Sequence, residues 1–150
     1  MKNAFCLKIF ALLFLIGGIA AAQAAGDPAA LFAQGRTLYA SGQYAAAAEL
    51  LERAANSDRR DSEYRHWLGK AYGRMAEEAS WFEALSLAKK TRKALEQAVS
   101  LDPENTAAIS DLISFYHDAP TFLGGGEDKA RALEQRLAGL EGHDSGARND

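Results

Sequence analysis

The chain has 150 residues, a net charge of −3 and 48% hydrophobic residues, which suits a single ordinary domain. An acidic chain without clustered basic residues does not fit a nucleic-acid-binding protein. Its single cysteine, Cys6, excludes a disulfide framework within the chain.

The first 24 residues have the features of a secretory signal peptide. Lys2 and Lys8 precede an uncharged run over 9–22, which is shorter than the ~18–20 residues that cross a bilayer. The triplet A-Q-A at 22–24 is the best cleavage site. We therefore expect residues 1–24 to be removed on export to the periplasm or the outside of a bacterial cell. The alternatives are a retained inner-membrane anchor and a buried helix of the domain.

Cleavage would leave an acidic domain without cysteine. It removes Cys6 and two lysines, so that 15 basic and 20 acidic residues remain. Cys6 precedes the apolar run, whereas the lipid-modified cysteine of a lipoprotein would stand at its end. Neither disulfides nor thiol chemistry would then be available to the exported domain.

The region from Asp27 to about Glu141 predicts an all-α domain. Alanine and leucine dominate it, and no long segment alternates with period two. Asp27-Pro28 is typical of a helix start, because Asp caps free N–H groups and Pro suits the first helical position. Ser-Gly-Gln at 41–43 predicts the first break. A second helix follows and ends in the polar stretch 56–61.

Four more helices follow in the second half of the chain. The third leads into a fourth that starts near Ser80 and stops before Pro103. The fifth has its apolar residues over 109–116, and the sixth carries leucines at helical spacing over 133–140. The tail, 142–150, has no apolar periodicity, and we expect it to be disordered.

The six helices suggest an internal repeat of helix pairs. Gly35 and Gly69 are 34 residues apart in the first helices of successive pairs, which is the period of the tetratricopeptide repeat. GQYAAAAELLERA, at 42–54, matches the second half of that motif, and LGKAY, at 68–72, matches its L-G-x-x-Y core. The chain therefore resembles a tetratricopeptide-repeat protein over about three quarters of its length, with units at about 28–61, 62–105 and 106–141.

The resemblance implies three antiparallel helix pairs, stacked as a short right-handed solenoid. Glycines such as Gly35 and Gly69 would let paired helices approach closely. The second unit departs from the motif. Residues 77–90 place Pro103 about ten positions beyond the place that the motif gives its terminal proline, and we interpret this as a lengthened helix pair. The third unit fits loosely, since Ile113 replaces the small residue of its first helix.

Two further stretches, ASWFEALSLAKK and DAPTFLGGGEDKA, make the chain similar to secreted bacterial repeat proteins without assigned chemistry. That resemblance implies a non-enzymatic protein, and we expect no cofactor and no metal ion.

Gly124–Gly126 raises the question of a phosphate site, because glycine-rich loops before helices can cradle anions. A phosphate loop would follow a strand and carry Lys and Ser or Thr after its last glycine. Here Glu127 and Asp128 follow, and they would repel phosphate. We therefore expect a turn between the two helices of the third pair.

Two short motifs have the spacing of catalytic or metal sites. Ser86 and Lys89 form S-x-x-K, but the companion motifs of serine acyl-enzymes are missing. Glu63 and His66 have the i, i+3 spacing of a di-metal carboxylate bundle, which needs that motif on two helices. We assign no catalytic residue; a small hydrolase or a metal-binding helical protein is the minor alternative.

The candidate binding site is the concave face that the first helices of the units would line. Arg36, Lys70 and Arg74 would form a basic strip there, flanked by the aromatic rings of Phe32 and Tyr39. Such a surface fits a peptide that is acidic or has a free C-terminal carboxylate; a solvated face without a ligand is the alternative. The full set of predicted exposed groove residues is Phe32, Arg36, Tyr39, Glu63, His66, Lys70, Arg74, Ser110, Ser114 and His117.

A second contact surface would exist if Trp81, Phe82 and Phe122 were exposed together. We expect instead that they pack between the lengthened second unit and the third pair. The predicted function is that of an exported, non-enzymatic adaptor for a peptide or protein partner. We expect it to bind no nucleic acid and, once the leader is cleaved, no membrane.

Overall fold

The computed structural model describes residues 26–147, with side chains over 26–142. The predicted leader and its cleavage site lie outside this range. The described chain is all-helical, as predicted, and contains no strand. Its elements are α1 (Pro28–Ala40), α2 (Tyr44–Ser57), α3 (Ser62–Glu78), α4 (Trp81–Leu101), α5 (Thr106–Asp118), a 3-10 turn (Thr121–Leu123) and α6 (Glu127–Ala147). None of these helices is long and apolar enough to cross a membrane.

Local capping sets where the helices begin. Asp27, Asp61 and Asn105 cap α1, α3 and α5 by accepting a hydrogen bond from a backbone N–H two or three residues later. Such caps satisfy N–H groups that have no partner within the helix. Gly42 separates α1 from α2 with a φ of 78°, a left-handed conformation that glycine adopts without steric cost.

Two glycines permit the closest helix contacts. A Cβ atom at Gly35 would lie 2.8 Å from Leu51 Cγ, and one at Gly69 would lie 2.8 Å from Leu95 Cδ2. The first contact joins α1 to α2, and the second joins α3 to α4 in the same way. The leucines are 44 positions apart and the glycines 34. The ten extra residues of the second helix pair therefore lie between Gly69 and Leu95.

Two groups of buried side chains form the core. One lies among α2, α3 and α4 and includes Leu51, Leu68 and Tyr72. The other joins the end of α4 to α5 and α6 and includes Ile109 and Leu112. The second helices contribute fully buried small residues to these groups, namely Ala47, Ala98 and Ala130.

The hydroxyl of Ser62 links three helices at one end of the molecule. Ser62 Oγ, in the first turn of α3, donates to the carbonyl of Ala98 near the end of α4, at 3.0 Å. The same oxygen accepts a hydrogen bond from Asn105 Nδ2 at 3.0 Å. Asn105 also caps α5, so the start of α3, the end of α4 and the start of α5 share one hydrogen-bond network.

The three glycines between α5 and α6 form the predicted turn. Gly124 has a φ of 94°, and a Cβ at Gly125 would overlap the carbonyl oxygen of Ala119. The N–H groups of all three glycines donate to backbone carbonyls, namely those of Thr121, Pro120 and Tyr116. Because these donors are already used, the segment is not arranged to cradle a phosphate.

The sixth helix is longer than the sequence indicates. It continues to Ala147, past the predicted end at Glu141, and covers most of the segment that was expected to be disordered. Gly142 and Gly146 each lower helix propensity by about 1 kcal/mol relative to alanine. Neither residue removes a backbone donor as proline would, so the helical hydrogen bonds can continue.

Candidate functional site

One face of α1 and one face of α3 together form the candidate site. Helix α1 contributes Phe32, Arg36 and Tyr39, spaced i, i+4 and i+7, and α3 contributes Trp67, Lys70 and Arg74, spaced i, i+3 and i+7. Each set shares one helix face. We call these six residues the aromatic–cation surface.

Trp67 is the centre of the aromatic–cation surface. Its ring centroid lies 6.4 Å from that of Phe32 and 5.4 Å from that of Tyr39, and both pairs meet edge to face. The guanidinium carbon of Arg36 lies 4.6 Å from the Trp67 ring centroid, and Lys70 Nζ lies 5.0 Å from it. The positive charges are therefore held over an aromatic ring, where its quadrupole attracts them.

The orientation of Trp67 is fixed by a hydrogen bond within α3. Its Nε1 donates to Glu63 Oε2 at 3.1 Å. Glu63 is exposed, as predicted, and its carboxylate supports the indole one helical turn away. The Trp67 ring thus belongs to a preformed surface.

Two of the three predicted cations have carboxylate neighbours. Arg74 forms an ion pair with Glu77 and lies over the Tyr44 ring, 5.1 Å from its centroid. Lys70 Nζ lies 3.6 Å from Asp111 Oδ2. The strip is therefore less positive than its three basic residues alone suggest.

His66 is buried, with 3% of its surface exposed, so the prediction that it is an exposed groove residue is wrong. Its Nε2 donates to Asp111 Oδ2 at 2.7 Å, because α3 turns this face towards α5. Burial alone would raise the pKa of Asp111, but the hydrogen bond from His66 and the charge of Lys70 outweigh it and lower that pKa. His66 Nδ1 is buried and has no hydrogen-bond partner within the described part of the chain.

The predicted residues on α5 divide into two groups. Ser110 and Ser114 are exposed, and Ser114 Oγ donates to the Ser110 carbonyl of its own helix at 3.2 Å. His117 is also exposed, and its ring nitrogens lie 3.1 Å from Glu127 Oε2 and 2.8 Å from Glu134 Oε1 of α6. These hydrogen bonds raise the pKa of His117, with Glu134 the main cause. His117 therefore contributes to the α5–α6 contact.

Sequence reasoning missed Trp67 as a member of the site and Asp111 as a neighbour that binds His66 and Lys70. Trp67 could have been found, because it stands four residues after Glu63 and three before Lys70, on the same helix face. Asp111 gave no local signal. Its role depends on His66 and Lys70, which lie more than 40 residues earlier in the chain.

The three aromatic side chains of the second predicted surface are exposed. Trp81 has 67% of its surface exposed, Phe82 has 84% and Phe122 has 68%. The prediction that they pack between the second and third units is therefore wrong. Trp81 and Phe82 occupy the first turn of α4, ahead of its buried positions such as Leu87.

The short motifs do not converge into a reactive centre. Ser86 and Lys89 are exposed on α4, and Glu63 and His66 have different partners. Over residues 26–142 no three His, Cys, Asp or Glu side chains are grouped so that they could hold a metal ion.

Comparison with protein-family models gives no match to this chain, and a search of curated proteins gives none either. The fold and the site define an all-α protein with an aromatic and cationic surface on α1 and α3. Its membership of a repeat family remains a prediction.

Proposed function

We propose that this protein is a non-enzymatic adaptor built from three tetratricopeptide-like helix pairs, stacked as a short right-handed solenoid. The repeated glycine–leucine contact supports this arrangement, since Gly35 against Leu51 and Gly69 against Leu95 have the same geometry. Contacts between consecutive helices from α1 to α6 also fit stacked pairs. In this arrangement α1, α3 and α5 line the concave face, which carries the aromatic–cation surface.

The ligand that we propose for the aromatic–cation surface is an extended peptide with a carboxylate, either acidic or at a free C-terminus. The observation that carries the proposal is the half-buried ring of Trp67 with Arg36 and Lys70 held over it. The rings of Phe32 and Tyr39 would extend an apolar shelf for a ligand side chain, and the two cations would receive its carboxylate.

The charges on this surface leave room for a ligand. Arg36 forms no ion pair with any described residue, so its guanidinium is free to bind a carboxylate in a forked geometry. The 3.6 Å separation between Lys70 and Asp111 exceeds the ~2.7–2.9 Å of a charge-assisted hydrogen bond. Lys70 could therefore turn to a ligand carboxylate at small cost.

We further propose that the adaptor acts in the periplasm or outside the cell, after removal of residues 1–24. The basic start, apolar run and A-Q-A triplet of the leader support this. The intact mass of the protein recovered from cells tests it. A mass that still includes residues 1–24, together with recovery in the membrane fraction, would favour the anchored alternative.

Charge reversal tests the binding site. Peptides with free C-terminal carboxylates would be screened by fluorescence anisotropy, and the best binder measured against the Lys70→Glu/Arg74→Glu variant. We expect the variant to bind the peptide at least about tenfold more weakly than the wild type does, equivalent to ~1.4 kcal/mol. The affinity of the wild type should also fall as salt is added, because exposed charges are screened.

The matched control is Lys89→Glu/Arg131→Glu, which makes the same charge change at exposed positions elsewhere. Circular dichroism should show unchanged helix content in both variants. Equal peptide affinity in the Lys70→Glu/Arg74→Glu variant and the wild type would exclude the aromatic–cation surface as the binding site.

A further inference from the structure

A second cationic surface lies between α2 and α4, with α3 beneath it. Arg59 comes from the α2–α3 connection, Arg65 from α3, and Lys90 and Lys93 from α4. These four side chains line one cavity of about 570 Å³. We call it the basic groove. It is distinct from the aromatic–cation surface, with which it shares no residue.

The positive charge of the basic groove is not neutralised from within the described residues. None of its four cations forms an ion pair there: Arg65 Nη2 donates to the Ala55 carbonyl at 2.8 Å, and Lys90 Nζ lies 5.2 Å from the Tyr72 ring centroid. Four cations in one groove of an acidic chain produce a local positive potential that attracts anions.

Glu52 is the one carboxylate that lines the cavity. Burial and the nearby charge of Glu52 raise the pKa of Tyr72 to about 12, so Tyr72 stays neutral at neutral pH and adds no negative charge to the groove. Four cations and one carboxylate leave the lining of the groove with a net positive charge.

The two cationic surfaces differ in how their charges are used. On the aromatic–cation surface, Lys70 and Arg74 have carboxylate neighbours in Asp111 and Glu77. In the basic groove the partners that the described residues give to the four cations are a carbonyl and an aromatic ring. An anion entering the basic groove would not need to displace an existing ion pair, which favours it as the stronger anion site.

The dimensions and lining of the basic groove favour an extended segment of polypeptide. Lys90 and Leu101 mark its ends on α4 and are separated by about 16 Å at the helical rise, which is the length of about five extended residues. Asn56, Gln97 and Ser100 add amide and hydroxyl groups that could bond to a peptide backbone. Leu101, which is 39% exposed, provides an apolar contact at one end.

We propose that the basic groove binds an acidic peptide segment of about five residues, with its carboxylates on Arg59, Arg65, Lys90 and Lys93 and an apolar side chain against Leu101. This site is additional to the proposed concave site. It needs no free C-terminus, so an internal acidic segment of a partner protein satisfies it.

The test uses a labelled Glu-Asp-Glu-Asp-Leu peptide with both ends blocked, measured by fluorescence anisotropy against the purified protein. The blocked C-terminus removes the terminal carboxylate that the concave site is proposed to recognise, so that only side-chain carboxylates remain to be bound. We expect saturable binding that weakens as salt rises, and an affinity at least about tenfold lower in Arg59→Glu/Lys93→Glu. A Gln-Ser-Gln-Ser-Leu peptide of the same length should not bind.

Two control variants separate this proposal from the concave site. The Lys70→Glu/Arg74→Glu variant measures any share of the blocked peptide that binds the concave site, and adding Arg59→Glu/Lys93→Glu to it should still lower the affinity at least about tenfold. Lys89→Glu/Arg131→Glu should bind the peptide as the wild type does. If Arg59→Glu/Lys93→Glu unfolds, the milder Arg59→Gln/Lys93→Gln variant replaces it, with an expected loss of at least about threefold.

Three outcomes would overturn the proposal. The first is the absence of saturable binding to the acidic peptide. The second is equal affinity in the wild type and the folded groove variant. The third is displacement of the peptide by inorganic phosphate or by a single-stranded oligonucleotide, when competitor and peptide supply equal concentrations of charged groups. That result would assign the groove to the competing anion.

Discussion

The first four helices and the last two are brought together in opposite ways. In α1–α4 the closest contacts exist because Gly35 and Gly69 have no side chain. In the first helix of the last pair, Ile113 stands where the repeat resemblance predicts a small residue, and Ile109 and Leu112 fill the space around it. The close packing of α1–α4 therefore depends on small residues, and the packing around α5 depends on large ones. The two parts should respond in opposite directions to the same change in side-chain size.

The largest effect is expected from removing volume in α5. Ile109 is fully buried, so Ile109→Ala should lower the free energy of unfolding by about 2–5 kcal/mol through lost burial and the cavity left behind. Urea unfolding followed by circular dichroism measures this. Ile109→Val is the matched control, with an expected loss of about 0.5–1.5 kcal/mol. Equal losses in both variants would mean that α5 rearranges to close the cavity.

A smaller loss is expected from adding volume in α3. Gly69→Leu should lower the free energy of unfolding by about 1–3 kcal/mol, because its side chain would collide with Leu95. Gly73 is the control within the same helix, since a Cβ there would lie 3.7 Å from Thr91. Gly73→Ala should therefore stabilise the protein by about 0.5–1 kcal/mol. An unchanged unfolding free energy in Gly69→Leu would count against the repeat assignment.

The smallest effect concerns the charged contact that α5 makes with α6. The pKa of His117 is raised above 6.5 by Glu134 and Glu127. Its contribution to stability is therefore fully present below pH 6.5, and is lost as pH rises through the raised pKa. His117→Gln should remove this pH dependence and leave stability above that pKa nearly unchanged. An identical pH profile in the variant and the wild type would show that the contact does not contribute.

The helices and turns could be predicted from the sequence because their signals are local. Asp27-Pro28, Gly42 and the three glycines before α6 determine backbone conformation by their own chemistry. The close contact of Gly69 with the fourth helix was implied by the repeat resemblance, which rests on the 34-residue spacing of Gly35 and Gly69. The caps and turns need only a few neighbouring residues, whereas this contact needs the recurrence of a motif along the chain.

The side chains whose surroundings could not be predicted from the sequence depend on contacts between helices. His66 is buried and donates a hydrogen bond to Asp111 of α5, and His117 is hydrogen-bonded to two carboxylates of α6. Helical spacing predicts which residues share one face of a helix, but it does not predict which other helix packs on that face. The exposed pair Trp81 and Phe82 has the same explanation, since no other described helix covers the first turn of α4.

The Ser62 network has a consequence for local unfolding. One hydroxyl joins the first turn of α3, the last turn of α4 and the cap of α5, so opening any of these ends breaks hydrogen bonds that the others share. Amide hydrogens at the three helix ends should therefore exchange with solvent as one cooperative unit. Ser62→Ala would divide that unit, and the exchange rates at the end of α4 and the start of α5 would become independent.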